Sequence, residues 1–263
     1  MLTSDTACEA KDPVVAPAAL GELAREPQAW ALFLDIDGTL IDLAETPEAV
    51  TVPDGLISTL SHISILLGGA VGLVTGRAVS FADQLFLPLT LPIAGLHGAE
   101  RRNSVGDLER LPKNEDFEAL KRSLARVTAD WDGVIIEDKG SAVAAHYRQA
   151  QQWTGPLEAV MQSAVEEAGA DYTLQRGKMV IEIRPARASK GEALRAFLDA
   201  EPFLGRKPIA IGDDLTDEAM FKVANELGGL SIRIGELRDT AAVRAIPSPD
   251  ALRKILADLA RRA

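Results

Sequence analysis

Four short stretches carry the side chains that could do chemistry. Asp35-Ile36-Asp37-Gly38-Thr39 follows the apolar run Ala31-Leu32-Phe33-Leu34. A buried strand that ends in two carboxylates delivers them to the carboxyl edge of a sheet, where open α/β folds bind ligands. The one-residue gap lets Asp35 and Asp37 diverge, so each can take its own role around one phosphate, and Gly38 permits a sharp backbone exit. The same residues also suit an ordinary strand-to-turn. Thr75-Gly76-Arg77 closes a second apolar run and offers a hydroxyl and backbone N–H groups of the kind that hold a phosphate oxygen, though Thr-Gly is common in plain turns. Ser189-Lys190-Gly191-Glu192 has capping-box spacing, which puts Lys190 in the first turn of a helix. A lysine there opposes the helix dipole, so an anion to neutralise is a better local reason for it than helix stability, with a plain surface lysine as the alternative. Gly212-Asp213-Asp214-Leu215-Thr216-Asp217 crowds three carboxylates at another strand end. They repel one another and raise the cost of ionisation, a conflict that a hard divalent cation such as Mg2+ resolves. An acidic turn capping the next helix is the plainer reading.

These stretches need elements to hold them. Short apolar runs at Ala31 to Leu34, Ala70 to Val74, Pro92 to Gly95, Pro208 to Ile211 and Leu230 to Ile234 read as buried strands. Helical patterns separate several of them, which predicts an α/β fold with a Rossmann-like, doubly wound parallel sheet. Pro249 to Arg262 sets Leu252, Ile255, Leu256 and Leu259 on one stripe, a closing helix. The middle differs. One helix carries Phe117, Leu120, Leu124, Val127 and Trp131, and a second carries Leu157, Val160, Met161, Ala164, Val165 and Ala168. Strand-like runs lie at Val134 to Asp138, Ala142 to Arg148, Tyr172 to Gln175 and Met179 to Arg184. The expected organisation is a loosely held extension over 1–27, a core over 28–110 and 185–263, and a smaller inserted α/β cap over 111–184.

Alternation within the insert predicts its faces. Met179, Ile181 and Ile183 oppose Lys178, Val180 and Glu182; Val143, Ala145 and Tyr147 oppose Ala144, His146 and Arg148. The greasy faces can cover the two helices, which turns the polar faces toward water or toward the core. Turned toward the core, such a face offers many hydrogen-bond partners to a polar ligand; turned toward water, it is a plain solvated sheet surface. His62 reads as a surface or satisfied core histidine, His97 lies near the expected cleft, and Trp30, Trp131 and Trp153 are too scattered to suggest a stacking platform.

Composition narrows the partners. The 263 residues carry a formal net charge of −11, with acids and bases interspersed. That argues against nucleic acid, which needs a large basic surface. No stretch is apolar enough to span a bilayer, and the first residues do not read as a signal peptide. The only cysteine, Cys8, excludes a disulfide within the chain and fits a reducing cytoplasm.

Taken in chain order, the four stretches closely resemble the haloacid dehalogenase superfamily of phosphatases, from about Trp30 onward. Gly95-Leu96-His97-Gly98-Ala99-Glu100, Glu137-x-Lys139-Gly140, His146-Tyr147-Arg148, Gly177-Lys178-x-Val180-x-Glu182 and Gly212 to Glu218 look like its trehalose-6-phosphate phosphatase family. Thr75 stands where that family often has Ser, which keeps the hydroxyl. The resemblance implies hydrolysis of trehalose 6-phosphate, the last step of trehalose biosynthesis, through an aspartyl-phosphate. Asp35 is then the nucleophile and Asp37 the general acid and base, while Thr75, Gly76 and Lys190 neutralise the phosphoryl oxygens. Mg2+ is held by Asp35, the Asp37 carbonyl and Asp213, with Asp214 and Asp217 on its waters. The implied substrate contacts are Asp35, Ile36, Asp37, Gly76, Arg77, His97, Gly98, Glu100, Lys139, His146, Arg148, Lys178 and Glu182. The implied partner is a small sugar phosphate, met by a monomer in the cytoplasm. A related capped phosphatase acting on sucrose 6-phosphate or another sugar or polyol phosphate shares the core motifs. A signalling receiver is excluded by chain order and length, and a catalytically dead sensor is disfavoured by intact Asp35, Asp37, Lys190 and Asp213.

Overall fold

Ala31 to Leu34 are wholly buried in strand β1 (Trp30–Leu34), so both faces of that strand are covered, as the centre of a parallel sheet requires. The computed structural model describes residues 16–44, 49–111, 114–177 and 179–262. Around β1 lie helix α1 (Ala16–Arg25), α2 (Leu56–Leu66), β2 (Val71–Val74), α3 (Val79–Phe86), β3 (Ile93–Gly95), β4 (Glu100–Arg102) and β5 (Leu108–Arg110). The chain then builds α4 (Glu115–Val127), β6 (Ile135–Asp138), β7 (Val143–His146), α5 (Thr154–Ala168), β8 (Tyr172–Gly177) and β9 (Val180–Pro185). It returns through α6 (Lys190–Leu198), β10 (Lys207–Gly212), α7 (Glu218–Glu226), β11 (Leu230–Ile234), β12 (Arg244–Ile246) and α8 (Pro249–Ala260).

The large sheet has the order β12-β11-β10-β1-β2-β3-β4-β5, parallel from β12 to β3 and antiparallel beyond. All five apolar runs read from the sequence are strands of it. The chain winds outward from β1 to β2 and β3, then comes back to β10 on the other side of β1. Strand order thus reverses at β1, where open sheets form ligand crevices at their carboxyl ends. Side chains alternate along β1: Phe33 stacks on Phe203 and packs on Phe197 of α6, while Leu32 and Leu34 face the other way. α6 packs with α7, and α8 packs with α2 and α1.

The second sheet, β6-β7-β9-β8, is antiparallel throughout, with Ala144 opposite Glu182 and His146 opposite Val180. Val143, Ala145, Ile181 and Ile183 form their own hydrophobic cluster with Phe117, Leu120 and Leu124 of α4 and Leu157 and Met161 of α5. These are the greasy faces that alternation predicts.

Two expectations change. The loose extension over 1–27 does not hold from Ala16 on, because α1 is a helix whose Leu20 and Leu23 are buried in the main core. Two leucines at i and i+3 within an Ala- and Pro-rich stretch are enough to give it one apolar stripe. Residues 1–15 lie outside the described residues. The helix expected to reach Trp131 ends at Val127, where Thr128 turns its hydroxyl onto the Leu124 carbonyl. Trp131 instead stacks on Trp153 with ring centroids 4.9 Å apart, a packing pair that linear spacing does not reveal. His62 is exposed on α2. No helix among the described residues is long and apolar enough to cross a membrane.

Candidate active site

Neighbouring parallel strands deliver three of the four stretches to one edge, and a helix start brings the fourth. β1 ends into Asp35, β10 into Asp213, β2 into Thr75 and β3 into His97. Gly38 takes φ of 76°, the left-handed turn that the sequence requires after Asp37. Lys190 begins α6 behind Ser189, whose hydroxyl accepts from the Glu192 N–H.

Lys190 is 3% exposed, and its Nζ lies 2.7 Å from Asp35 Oδ1 and 2.6 Å from Asp217 Oδ1. Burial acts against its charge, but Asp217 and Asp35 outweigh burial and hold its pKa above the ordinary lysine value. Burial raises the Asp35 pKa well above the usual carboxylate range; Lys190 opposes this, while Asp217 and Asp213 add to it. Asp213 is pushed up to about 6 by burial and then by Asp217 and Asp214. One lysine therefore faces several crowded acids. Asp35, Asp213 and Asp217 each present a carboxylate oxygen, all within 4.8 Å of one another, and this hard-oxygen set suits a divalent cation.

The acids are not equivalent. Asp217 has no exposed surface, and its Oδ2 accepts from the Asp213 and Asp214 N–H groups at 2.9 Å each. With Oδ1 on Lys190, Asp217 anchors the lysine and the Asp213-Asp214 turn, whereas Asp35, Asp213 and Asp214 line the cleft. Asp37 is gripped by Arg77 through two bonds of 2.6 Å, Nε to Oδ2 and Nη2 to Oδ1, and the guanidinium rests over the Phe81 ring. Such a fork fixes the direction in which the carboxylate points.

The cleft has a volume of about 980 Å³, ample for a small metabolite. Asp35, Asp37, Gly76, Arg77, His97, Lys190, Asp213 and Asp214 line it from the large-sheet side, and Lys139, His146 and Arg148 from the other. Lys139 Nζ donates to Glu182 Oε2 at 2.8 Å, and Glu182 is buried beneath it. His97 and the residue before it hold φ of 56° and 49°, a left-handed pair that turns the imidazole over Gly76. Burial, then Lys190, Arg184 and Lys139, depress the His97 pKa well below its ordinary value, so the ring is neutral. Its Nδ1 and the neighbouring Glu182 Oε1 are buried without a hydrogen-bond partner among the described residues. Buried polar atoms of this kind call for a ligand or water.

Some expected contacts fall elsewhere. The Ile36 side chain is in the main core, so only its backbone can meet a ligand. Gly98 packs against Ser189 and Ala193 rather than lining the cleft. Glu100 lines it, but its oxygens accept from Val79 N–H at the start of α3 and from Arg110. Thr75 is buried, and its hydroxyl accepts from the Arg77 N–H. Lys178 lies outside the described residues. Glu137 stands in a family-like motif but is not among the implied substrate contacts. It lines the cleft, bonds His146 Nε2 at 2.8 Å, and has its pKa lowered chiefly by that bond. Its place on β6, two residues before Lys139, was the available signal.

The fold and the sequence match known proteins. A haloacid dehalogenase-like hydrolase from Bacteroides thetaiotaomicron superposes with a TM-score of 0.64 at 18% identity, over 86% of this chain and 98% of that one. The large sheet with its crevice at β1 is thus a haloacid dehalogenase-type fold. Residues 33–258 match the trehalose-phosphatase family model. A probable trehalose-phosphate phosphatase of Sinorhizobium fredii is 56% identical over 96% of this chain and 98% of its own. A solved trehalose-6-phosphate phosphatase related protein is 29% identical, with a TM-score of 0.72 over 88% of this chain and 97% of that one. The chain belongs to the trehalose-phosphatase family.

Proposed function

We propose that this chain hydrolyses trehalose 6-phosphate to trehalose and phosphate through an aspartyl-phosphate on Asp35. The observation that carries the reading is one cleft lined by Asp35, Asp37, Lys190, Asp213 and Asp214 on one wall and by the polar Glu137, Lys139, His146 and Arg148 opposite. Asp35 attacks phosphorus, forming the Asp–O–P bond as the P–O bond to the sugar breaks. Asp37, aimed by Arg77, gives its proton to the leaving sugar oxygen and later takes one from the hydrolytic water. Lys190, anchored by Asp217, neutralises charge on the carboxylate and the phosphoryl oxygens, with Thr75 and Gly76 at the β2 end beside it. Asp35 and Asp213 would hold Mg2+, with Asp214 at the cleft edge and Asp217 behind. Bound there, the cation supplies electrophilic pull on the phosphoryl group and relief of the crowded acids.

In this reading 28–110 and 185–263 perform the chemistry, while 111–184 selects the substrate through Glu137, Lys139, His146, Arg148, Lys178 and Glu182. We take the chain to act as a monomer, and its single cysteine suits a reducing cytoplasm. The test is phosphate release across trehalose 6-phosphate, sucrose 6-phosphate, hexose phosphates and p-nitrophenyl phosphate, with Mg2+ and with EDTA. Trehalose 6-phosphate should give the highest kcat/KM and EDTA should stop it. Preference for another sugar phosphate would replace the substrate, and undiminished release in EDTA would remove the metal.

A further inference from the structure

Lys121 is the one lysine besides Lys190 found buried among the described residues, at 5% exposure on α4. It is not among the residues that line the cleft. Its Nζ donates to Asp138 Oδ1 at 2.7 Å and to the Gly140 carbonyl at 2.8 Å, and pairs with Glu118 at 2.7 Å. Asp138 Oδ1 also accepts from the Gly140 N–H, and the Lys139 N–H donates to the Ala142 carbonyl. The turn from Asp138 to Ala142 is therefore fastened at both residues that flank Lys139. Gly140 completes it with φ of 77°. Held this way, Lys139 extends into the cleft, where its Nζ lies 2.8 Å from Glu182 and 4.0 Å from Glu137. Burying an ammonium is costly, and the same turn could be covered by an apolar side chain. A fixed position for Lys139 explains why a charge is kept there.

We propose that Lys121 is the positioning residue for substrate recognition, fixing the Asp138–Gly140 turn so that Lys139 meets the sugar. This rests on the reading above that the inserted layer binds the sugar. A lysine carried on an unfastened turn samples many positions, and a misplacement of about 1 Å can cost up to a hundredfold in catalysis. Lys121→Met keeps the aliphatic stem and removes the three donors.

The experiment is a double-mutant cycle of Lys121→Met and Lys139→Ala, measured as KM and kcat for trehalose 6-phosphate, with p-nitrophenyl phosphate hydrolysis and circular dichroism as controls. Lys121→Met should raise KM for the sugar phosphate about tenfold while its aryl phosphate hydrolysis stays within about twofold of wild type. In the Lys139→Ala background, Lys121→Met should add less than about twofold, because the residue it positions is gone. Losses that multiply across the cycle, or an equal fall on the aryl phosphate, would overturn the inference. If Lys139→Ala raises KM and Lys121→Met does not, this inference alone fails. If Lys139→Ala leaves KM unchanged, the sugar-binding reading falls and takes this one with it. Should Lys121→Met not fold, Asp138→Ala must show the same rise in KM and the same non-additivity with Lys139→Ala, and their absence overturns the inference.

Discussion

Asp217→Asn is the sharpest perturbation of the site, because the substitution changes no volume. Three donors converge on the Asp217 carboxylate: Lys190 Nζ on Oδ1, and the Asp213 and Asp214 N–H groups on Oδ2. An amide has one accepting oxygen, so its NH2 must face either an ammonium or two backbone N–H groups. The side chain cannot step back, since a Cβ on Gly212 would lie 2.2 Å from Asp217 Cγ, which shows how closely the carboxylate sits on the β10 backbone. Removing one partner from a buried charge pair costs about 3–5 kcal/mol, a large share of the roughly 5–15 kcal/mol that holds a typical protein folded. With a urea m-value of about 3 kcal/mol/M, the denaturation midpoint should fall by about 1 M or more. Turnover should also fall at least about tenfold at saturating magnesium, as Lys190 loses one of its two anchors. Urea denaturation followed by circular dichroism, alongside steady-state kinetics across a magnesium series, reads both effects. A stability loss under about 1 kcal/mol, or turnover fully restored by more magnesium, would refute the anchoring role and return Asp217 to the metal's water shell.

Asp35→Asn should leave the circular dichroism spectrum unchanged and cut phosphate release to below about a hundredth of wild type, since an amide cannot attack phosphorus. Glu182→Ala frees the Lys139 ammonium and should lower kcat/KM for trehalose 6-phosphate by about ten- to a hundredfold, with kinetics on a small aryl phosphate as the comparison. In the metal-free protein Asp213 binds its proton more tightly folded than unfolded, so its contribution to stability is present near pH 3.8 and is lost as pH rises through about 6. Mg2+ competes with that proton, so the rise in Tm on adding it should grow over this window; a shift that stays flat with pH contradicts the crowding of the acids.

The sequence and the structure agree where one physical signal dominates. Apolar runs of four or five residues located β1, β2, β3, β10 and β11, and period-two alternation assigned the greasy side of β7 and β9. The hairpin of β4 and β5 was invisible, because Glu100-Arg101-Arg102 and Leu108-Glu109-Arg110 show no apolar pattern. Cross-strand pairs of Arg101 with Glu109 and Arg110 with Glu100 link it, and those require the fold to bring them together. Asp35, Asp37, Lys190 and Asp213 were legible as chemistry from type and position at strand and helix ends. The division of labour among them was not: Arg77 on Asp37, Asp217 under Lys190 and Lys121 behind Lys139 span 40, 27 and 18 residues of sequence (77 − 37, 217 − 190 and 139 − 121). Contacts at such distances are set by tertiary packing, which leaves no periodic trace.

The central claim is that Asp35 carries the phosphoryl group, and trapping that group tests it most directly. Enzyme mixed with phosphate-labelled trehalose 6-phosphate and Mg2+, quenched in acid within one turnover and digested, should yield one hydroxylamine-labile label on the peptide containing Asp35. The Asp35→Asn protein should yield none. Turnover without any covalent label, or a label on another residue, would contradict the account.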